Sequence, residues 1–171
     1  PAWRVSWPAA LGISFYTLQL VGYLLDCHWG IIKPEPSFGR FLLFACFFPQ
    51  MTSGPIIEWV SWAGSSVGNM RSIAKTSQRD NRIIVGAAKK LILAENLAQI
   101  VPSLLTTEHG ALGPIGFLGM MLYVAQVYAD FSGCMDIVLG SAKLFGVTMV
   151  ENFRSPFLSR SIQEFWQRWH I

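Results

Sequence analysis

The chain has 171 residues, a formal net charge of +3, 52% hydrophobic residues and only 13% charged residues. Soluble domains carry about 25% charged residues, so this composition argues against an ordinary soluble domain. Together with a mean hydropathy of +0.40, it predicts a polytopic membrane protein that has no reason to bind nucleic acid.

The two ends and the cysteines add little chemistry. The first residue is Pro1 and no signal peptide is visible, so we expect a single internal fragment, 1–171, of one membrane domain with both ends truncated. Cys27, Cys46 and Cys134 form no metal-binding spacing and are expected to be small hydrophobic residues. No metal site is predicted.

Two apolar stretches stand in the first third of the chain. The first runs from about Pro8 to Leu25, has no charge and is just long enough to span a bilayer. The second runs from about Phe41 to Ile57 and is interrupted by prolines and a glycine between Pro49 and Pro55. Because proline breaks a helix and freed backbone groups need partners, a broken or re-entrant segment is predicted there.

The third stretch runs from about Ile83 to Leu105 and is predicted to be an amphipathic helix that packs against other helices. Its polar residues recur near helical spacing as one stripe: Arg82, Gly86, Lys89, Asn96 and Gln99.

The fourth stretch runs from about Leu112 to Leu139 and carries only two ionisable residues, both acidic. Ionisable groups at membrane depth are costly and usually face a bundle interior. A face predicted to point into the bundle contains Tyr123, Gln126, Asp130 and Gly133.

The basic residues predict an orientation. They are frequent in residues 58–90, absent from 91–142 and present again from Lys143. By the positive-inside rule, loop 58–82 and the C-terminal part are cytoplasmic, while the loops 26–40 and 106–109 are external.

A short aromatic helix is predicted at the end of the chain. Ser161 and Glu164 have the spacing of a capping box, and Glu164 can also pair with Arg168. One apolar face of this helix contains Ile162, Phe165, Trp166 and Trp169.

His170 has two interpretations on local sequence alone. It is either an interfacial histidine beside tryptophans or an acid–base group, because imidazole titrates near neutral pH. His28 and His109 lie in predicted polar loops and are expected to be solvated.

Six motifs follow one another along the chain. They begin at Gly12 (GISFYTLQ), Phe47 (FFPQMTSGPI), Gly86 (GAAKKLILAENLA), Tyr128 (YADFSGCMDI), Glu151 (ENF) and Glu164 (EFWQRWHI). Together they resemble the membrane-bound O-acyltransferase family, in particular its bacterial branch of alginate O-acetylation and teichoic-acid D-alanyl transfer proteins. Cys134 and Gln167 depart from the residues usual in the family.

The resemblance implies an all-α, polytopic, multi-pass bundle with broken or re-entrant segments in the cytoplasmic membrane of a bacterium. It implies transfer of an acyl group from a thioester on coenzyme A or a carrier protein to a hydroxyl. Acetyl is the acyl group that the motifs favour. The acceptor would be an envelope polysaccharide or a partner acyltransferase protein. The thioester is a co-substrate, and no tightly bound cofactor is expected.

The resemblance also implies a site. His170 would handle the proton, with a second family histidine that this chain lacks, so the chain is not expected to turn over alone. Residues expected to shape the site or its tunnel are Trp166, Trp169, Arg168, Asp130, Asp136, Asn152, Gln50 and Thr52. As an alternative, Asp130 and Asp136 make only structural polar contacts. Likewise, Arg168 forms only an ion pair with Glu164.

Three alternatives stay open. D-alanyl transfer would replace acetyl transfer in the same class of enzyme. A transporter or flippase would use broken helices and buried carboxylates, but it predicts a second interrupted segment, which this sequence does not show. A structural scaffold would need neither the two aspartates nor His170.

Overall fold

A computed structural model divides the chain into two compact units, Pro1–Gly64 and Ser65–Ile171. Each unit is described by itself. The residues that the structure describes are 13–51, 54–55, 57–65, 77–106 and 113–169.

The first unit contains four helices: α1 (Ile13–His28), α2 (Phe38–Ala45), α3 (Phe48–Met51) and α4 (Trp59–Ala63). Helix α2 begins where Ser37 accepts a hydrogen bond from the backbone N–H of Arg40, which satisfies one free donor of the first turn. The first apolar stretch is helical from Ile13 onward, and the helix continues past the predicted end at Leu25 to His28. Residues 8–12 lie outside the described part.

An aromatic core holds the first unit together. Tyr23, Phe44, Trp59 and Trp62 have ring centroids 5.0–6.3 Å apart in mostly edge-to-face arrangements, a geometry that stabilises aromatic pairs. The guanidinium of Arg40 lies 5.9 and 6.0 Å from the two tryptophan rings and donates to the carbonyl of Ala63 at 2.8 Å.

The second apolar stretch is broken, but earlier than predicted. Helix α2 ends at Ala45, and Pro49 lies in the first turn of α3, where a missing N–H costs nothing. The carbonyl of Phe44 lies at this break, where it accepts from the backbone N–H of Phe47 at 3.3 Å and from the side chains of Gln19 and Gln50, both at 3.1 Å. The buried amide of Gln50 therefore adds a side-chain bond where the helix ends.

The second unit is a helical hairpin followed by a return segment and a short helix. In its described residues it has no β-strand, so the all-α prediction is confirmed at this level. Its elements are α5 (Ser77–Ala88), a π-helical stretch (Lys89–Ala94), α6 (Glu95–Leu105), α7 (Pro114–Leu144), a 3₁₀ turn (Pro156–Leu158) and α8 (Ile162–Arg168).

Helices α5 and α7 approach closely and run antiparallel. A methyl group built on Gly86 would lie 2.7 Å from the carbonyl oxygen of Gly133, and one on Gly133 would lie 2.7 Å from that of Gly86. Only glycine allows two backbones so close, as at many membrane helix interfaces. Farther along the hairpin, a methyl group built on Gly119 would lie 2.9 Å from a side-chain carbon of Leu105, so there the small residue admits a side chain and not a backbone.

The polar stripe of the third stretch is correct only in its first half. Arg82, Gly86 and Lys89 face α7, whereas Asn96 and Gln99 are exposed, because the π-helical stretch Lys89–Ala94 lies between them and turns the residues after it to another face. The helix also starts six residues earlier than predicted, at Ser77.

Helix α7 has 31 residues and is the one described helix that is long and apolar enough to cross a bilayer. The face predicted to point inward is wrong in part, since Tyr123 and Asp130 are exposed. The buried face instead follows the small residues Gly116, Gly119, Ala129 and Gly133, because they admit the neighbouring backbone.

A glycine turn ends α7 and reverses the chain. Gly146 has φ +79°, its N–H donates to the carbonyl of Lys143, and that of Val147 donates to Ala142, both at 3.0 Å. These two bonds define a Schellman motif. The turn starts the return segment, which we define as residues 147–155, and buries Val147 completely.

Helix α8 begins as predicted and ends one residue early. The hydroxyl of Ser161 accepts from the N–H of Glu164 at 3.1 Å, which confirms the N-cap. Trp169 was predicted to continue the helix, but it is extended (φ −100°, ψ 120°) because its backbone pairs with Phe153.

The glycine contact gives a first test. Gly133→Ala should destabilise the full-length protein by about 1–3 kcal/mol, because the added methyl group would overlap a backbone carbonyl. Thermal unfolding followed by size-exclusion chromatography in detergent measures this as a lower melting temperature.

The matched control is Gly22→Ala in α1, where an added methyl group meets nothing within 4 Å. This change should leave the melting temperature unchanged or raise it, because alanine favours a helix by about 0.5–1 kcal/mol. Equal effects of the two substitutions would contradict the close approach of α5 and α7.

Candidate active site

Four side chains of the second unit form what we call the ion cluster: Arg82, Lys89, Asp136 and Glu151. The carboxylate of Asp136 accepts from Nε of Arg82 at 3.0 Å and from Nζ of Lys89 at 2.6 Å. The two other guanidinium nitrogens of Arg82 both donate to Glu151, one of them at 2.6 Å. Two positive and two negative charges therefore neutralise one another in a partly buried place.

The helix register brings these charges together. Arg82 and Lys89 lie one turn on either side of Gly86, and Asp136 lies one turn after Gly133. Since the two glycines touch, the flanking side chains meet without a gap. Glu151 then arrives from the return segment after the glycine turn.

A polar cavity of about 150 Å³ opens beside the ion cluster. The buried hydroxyl of Ser132 points into it and accepts no hydrogen bond from any other described residue, and the buried Asn152 lines it from the return segment. Because the surrounding charges cancel, the cavity suits neutral polar groups better than a free anion. Its remaining walls are Tyr128, Met135, Leu139, Phe153 and Ser155.

Five rings, which we call the aromatic cluster, lie next to this cavity: Tyr128, Phe153, Phe157, Phe165 and Trp169. Tyr128 lies 5.5 Å from Phe153 and 5.0 Å from Phe157, both edge-on. Trp169 lies 5.2 Å from Phe153 and stacks on Phe165 at 5.4 Å. The rings join α7, the return segment and α8 through one apolar contact.

A short backbone pairing fixes Trp169 in this cluster. Phe153 and Trp169 form an isolated antiparallel bridge, and the N–H of Arg154 donates to the carbonyl of Arg168 at 3.0 Å. The position of Trp169 is thus set by the return segment as well as by α8.

The return segment ends in an unfavourable backbone conformation. Ser155 has φ 49° and ψ 60°, the left-handed region, and precedes Pro156. A residue with a side chain rarely adopts this conformation, and one before proline favours an extended backbone. Such residues persist where the surrounding structure holds them, and they cluster at functional sites.

An apolar groove of about 500 Å³ lies on the other side of Tyr128. Its walls come from the α6–α7 hairpin and Phe157, and Tyr128 lines both the groove and the polar cavity. The remaining walls are Leu93, Leu97, Met121, Val124, Ala125 and Ala129.

The predicted site residues fall into three groups. Asp136 and Asn152 line the cavity, and Trp169 stands in the adjoining aromatic cluster. Asp130 pairs with Lys90, and Arg168 pairs with Glu164 in the same helix. Both make the structural contact that the sequence left open.

Trp166 does not line this cavity. Trp166 is 65% exposed and rests on Phe165, because it points away from the return segment. Gln50 lies in the first unit on the carbonyl of Phe44. His170 and Thr52 lie outside the described residues.

Three residues of the ion cluster were not predicted as site residues: Arg82, Lys89 and Glu151. The signal was present for the first two, because they flank Gly86 at helical spacing and both bind Asp136, an acidic residue of the fourth stretch. For Glu151 no local pattern predicts its partner, which is 69 positions away.

The second unit combines a polar cavity with one described helix that is long and apolar enough to cross a bilayer, and the sequence belongs to a known family. Residues 31–171 match the family model of MBOAT, the membrane-bound O-acyltransferase family, so the chain is a member of that family. The family membership confirms the resemblance drawn from the six motifs.

Relatives share about a third of their residues with this chain. It is 32% identical over 161 residues to the probable alginate O-acetylase AlgI of Pseudomonas aeruginosa, covering 94% of this chain and 31% of that protein. It is 32% identical to the teichoic acid D-alanyltransferase of Streptococcus thermophilus, covering 94% of this chain and 40% of that protein.

A third relative is the peptidoglycan O-acetyltransferase of Helicobacter pylori, 29% identical over 191 residues, with 94% of this chain and 36% of that protein covered. The chain thus spans between about a third and two fifths of the length of these three relatives.

The pairing with Arg82 gives a pH-dependent prediction. The hydrogen bonds from Arg82 hold the pKa of Glu151 below its ordinary value of 4.5. A carboxylate with a lowered pKa stabilises the folded state fully above the pKa of the unfolded chain, and this contribution is lost as pH falls through the folded pKa.

Glu151→Gln should therefore lower the melting temperature of the full-length protein at pH 7, and the difference from the wild type should shrink as the pH falls below about 4.5. Thermal unfolding between pH 7 and pH 4 measures it. Glu58→Gln is the control, since the exposed Glu58 forms no ion pair within the described chain. A pH-independent difference for Glu151→Gln would contradict the ion pair.

Proposed function

We propose that this chain carries part of the site of a membrane-embedded O-acyltransferase, which transfers an acetyl group from a thioester to a hydroxyl of an envelope polymer. The observation that supports this most is the placement of Trp169. It is the residue before His170, and it is held by backbone pairing and ring contacts beside a polar cavity. Family membership supports the reaction class.

The proposed chemistry needs one proton carrier. The acceptor hydroxyl oxygen attacks the thioester carbonyl, the carbon–sulfur bond breaks, and the hydroxyl proton moves through the His170 imidazole to the leaving thiolate. Histidine suits this because its pKa lies near neutral pH. A thioester is already activated, so positioning supplies most of the remaining rate enhancement.

Acetyl is the acyl group we propose, from a donor on coenzyme A or a carrier protein. Two of the three relatives described above are named for O-acetyl transfer. The acceptor would be a polysaccharide or a relay protein of the envelope. The D-alanyl relative is as similar in identity as the alginate one, so D-alanine is the second candidate.

We also propose a multi-pass topology in the cytoplasmic membrane. The antiparallel α5–α7 hairpin places Ser77 and Leu144 at one end and the chain between α6 and α7 at the other, as the ion pairs Arg82–Asp136 and Lys90–Asp130 require. The basic residues favour the cytoplasm for the first end.

Replacing His170 by alanine in the full-length protein should abolish acylation of the envelope polymer, because the imidazole that takes the hydroxyl proton would be lost. Chemical release and quantification of polymer-bound acetyl and D-alanyl groups measures the loss. His28→Ala, an exposed position at the end of α1, should leave acylation unchanged. Normal acylation in the His170→Ala strain at equal protein level would reject the proposal.

Single cysteines test the topology. In a background without Cys27, Cys46 and Cys134, a membrane-impermeant maleimide should label T107C in intact cells and should label S72C only after the membrane is opened. Both positions lie outside the described residues; in the sequence, Ser72 precedes α5 and Thr107 lies between α6 and α7. The reverse labelling pattern would contradict the proposed orientation.

A further inference from the structure

One guanidinium joins three separate segments of the second unit. Arg82 belongs to α5, its Nε donates to Asp136 of α7, and its two terminal nitrogens donate to Glu151 of the return segment. Asp136 is in turn held by Lys89. The side chains of Arg82 and Asp136 are 21% and 17% exposed, so water competes weakly for the bond between them, whereas the carboxylate of Glu151 is 45% exposed and depends on the two parallel bonds from the guanidinium.

The shape of the guanidinium matters here. A planar fork can bind one carboxylate with two parallel bonds and a second carboxylate with Nε. A lysine at position 82 would keep the charge, but its single ammonium group could not fix the orientation of Glu151. The geometry therefore uses the fork and not only the positive charge.

The fork acts at a short distance along the backbone from Trp169. Glu151 is two residues before Phe153, which pairs with Trp169, and Arg154 bonds to Arg168. Between them, Asn152 is 1% exposed and so leaves little freedom of movement. A shift of the Glu151 carboxylate would be transmitted to the bridge that holds Trp169.

We propose that Arg82 is a positioning residue for acyl transfer, which orients the return segment through Glu151 and thereby sets the place of Trp169, the residue before His170. This inference rests on the proposed function. Arg82 touches neither the donor nor the acceptor in this role. Arg82 instead raises the fraction of substrate-bound enzyme in which the reacting groups are correctly placed. A displacement of such groups by about 1 Å can lower the rate about 100-fold.

The test uses the full-length protein in cells and compares the initial rate of acyl incorporation per amount of folded protein. Cells receive a pulse of labelled acetate, or of labelled D-alanine if the wild type incorporates that. The amount of folded protein is the monodisperse peak after detergent extraction. Arg82→Lys and Glu151→Gln should each lower this specific rate by about 10- to 100-fold.

The matched control is Lys90→Gln. Lys90 also joins the two helices of the hairpin, by its ion pair with Asp130, but it bonds to nothing in the return segment. It should lower the melting temperature by an amount similar to Glu151→Gln while leaving the specific rate within twofold of the wild type. Loss of stability alone would lower the rate equally in both.

Two more variants separate positioning from folding. Glu151→Asp keeps a carboxylate for the fork and should recover a large part of the rate that Glu151→Gln loses. The double variant Arg82→Lys/Glu151→Gln should be no slower than Arg82→Lys alone, because Arg82→Lys already removes the paired bonds to Glu151. If the Arg82→Lys protein does not accumulate in cells, the specific rates of Glu151→Gln and Glu151→Asp test the positioning role by themselves.

A wild-type specific rate in Glu151→Gln, or an equal loss in Lys90→Gln, would overturn the inference. These outcomes differ from failure of the proposed function. If His170→Ala retains acylation, the acyltransfer site itself is wrong. If His170→Ala is inactive but Glu151→Gln is fully active, only the positioning role of Arg82 is wrong.

Discussion

The close backbone approach of Gly86 and Gly133 is the constraint on which the second unit depends. It sets the distance between α5 and α7, and this distance decides which side chains can meet across the helix pair. One turn away on each side, Arg82 and Lys89 reach the same carboxylate of Asp136. With larger residues at the glycine positions, the helices would separate and these ion pairs would open to water or lipid.

The ion cluster contributes more to the orientation of the segments that it joins than to the stability of the fold. Desolvating charges costs free energy that their attraction only partly returns, and apolar residues in the same place would often be as stable. Charges kept in a partly buried place, in a chain of so few charges, therefore need another reason. The geometry supplies one, because a guanidinium fork fixes direction as well as distance, which an apolar contact cannot do.

Periodicity and turn chemistry predicted most of the elements. The helices around α1, α6 and α7 and the Ser161 cap follow from apolar runs and capping residues, and the six motifs gave the family. The inward face of α7 was wrong because polar residues were given more weight than small ones. In a helix pair without water, close contact at Gly119 and Gly133 decides the packed face.

The site was harder to predict, because its key partners are distant in sequence and its key residue leaves the helix. Trp169 continues the apolar spacing of α8, yet it pairs with Phe153, and spacing alone cannot show such a pairing. A helix of seven residues is marginal by itself, so α8 needs external contacts to hold its place. Asp136 was identified from its cost at membrane depth, but Glu151 was not.

The left-handed Ser155 shows that the return segment is held at both ends. A non-glycine residue in that conformation, before a proline, costs free energy that must be offset elsewhere. On its N-terminal side the fork of Arg82 binds Glu151, and the bridge from Phe153 binds Trp169. On its C-terminal side Phe157 packs on Tyr128. A segment held in this way keeps Trp169 beside the polar cavity with little freedom, and acyl transfer from an activated thioester depends chiefly on such fixed placement.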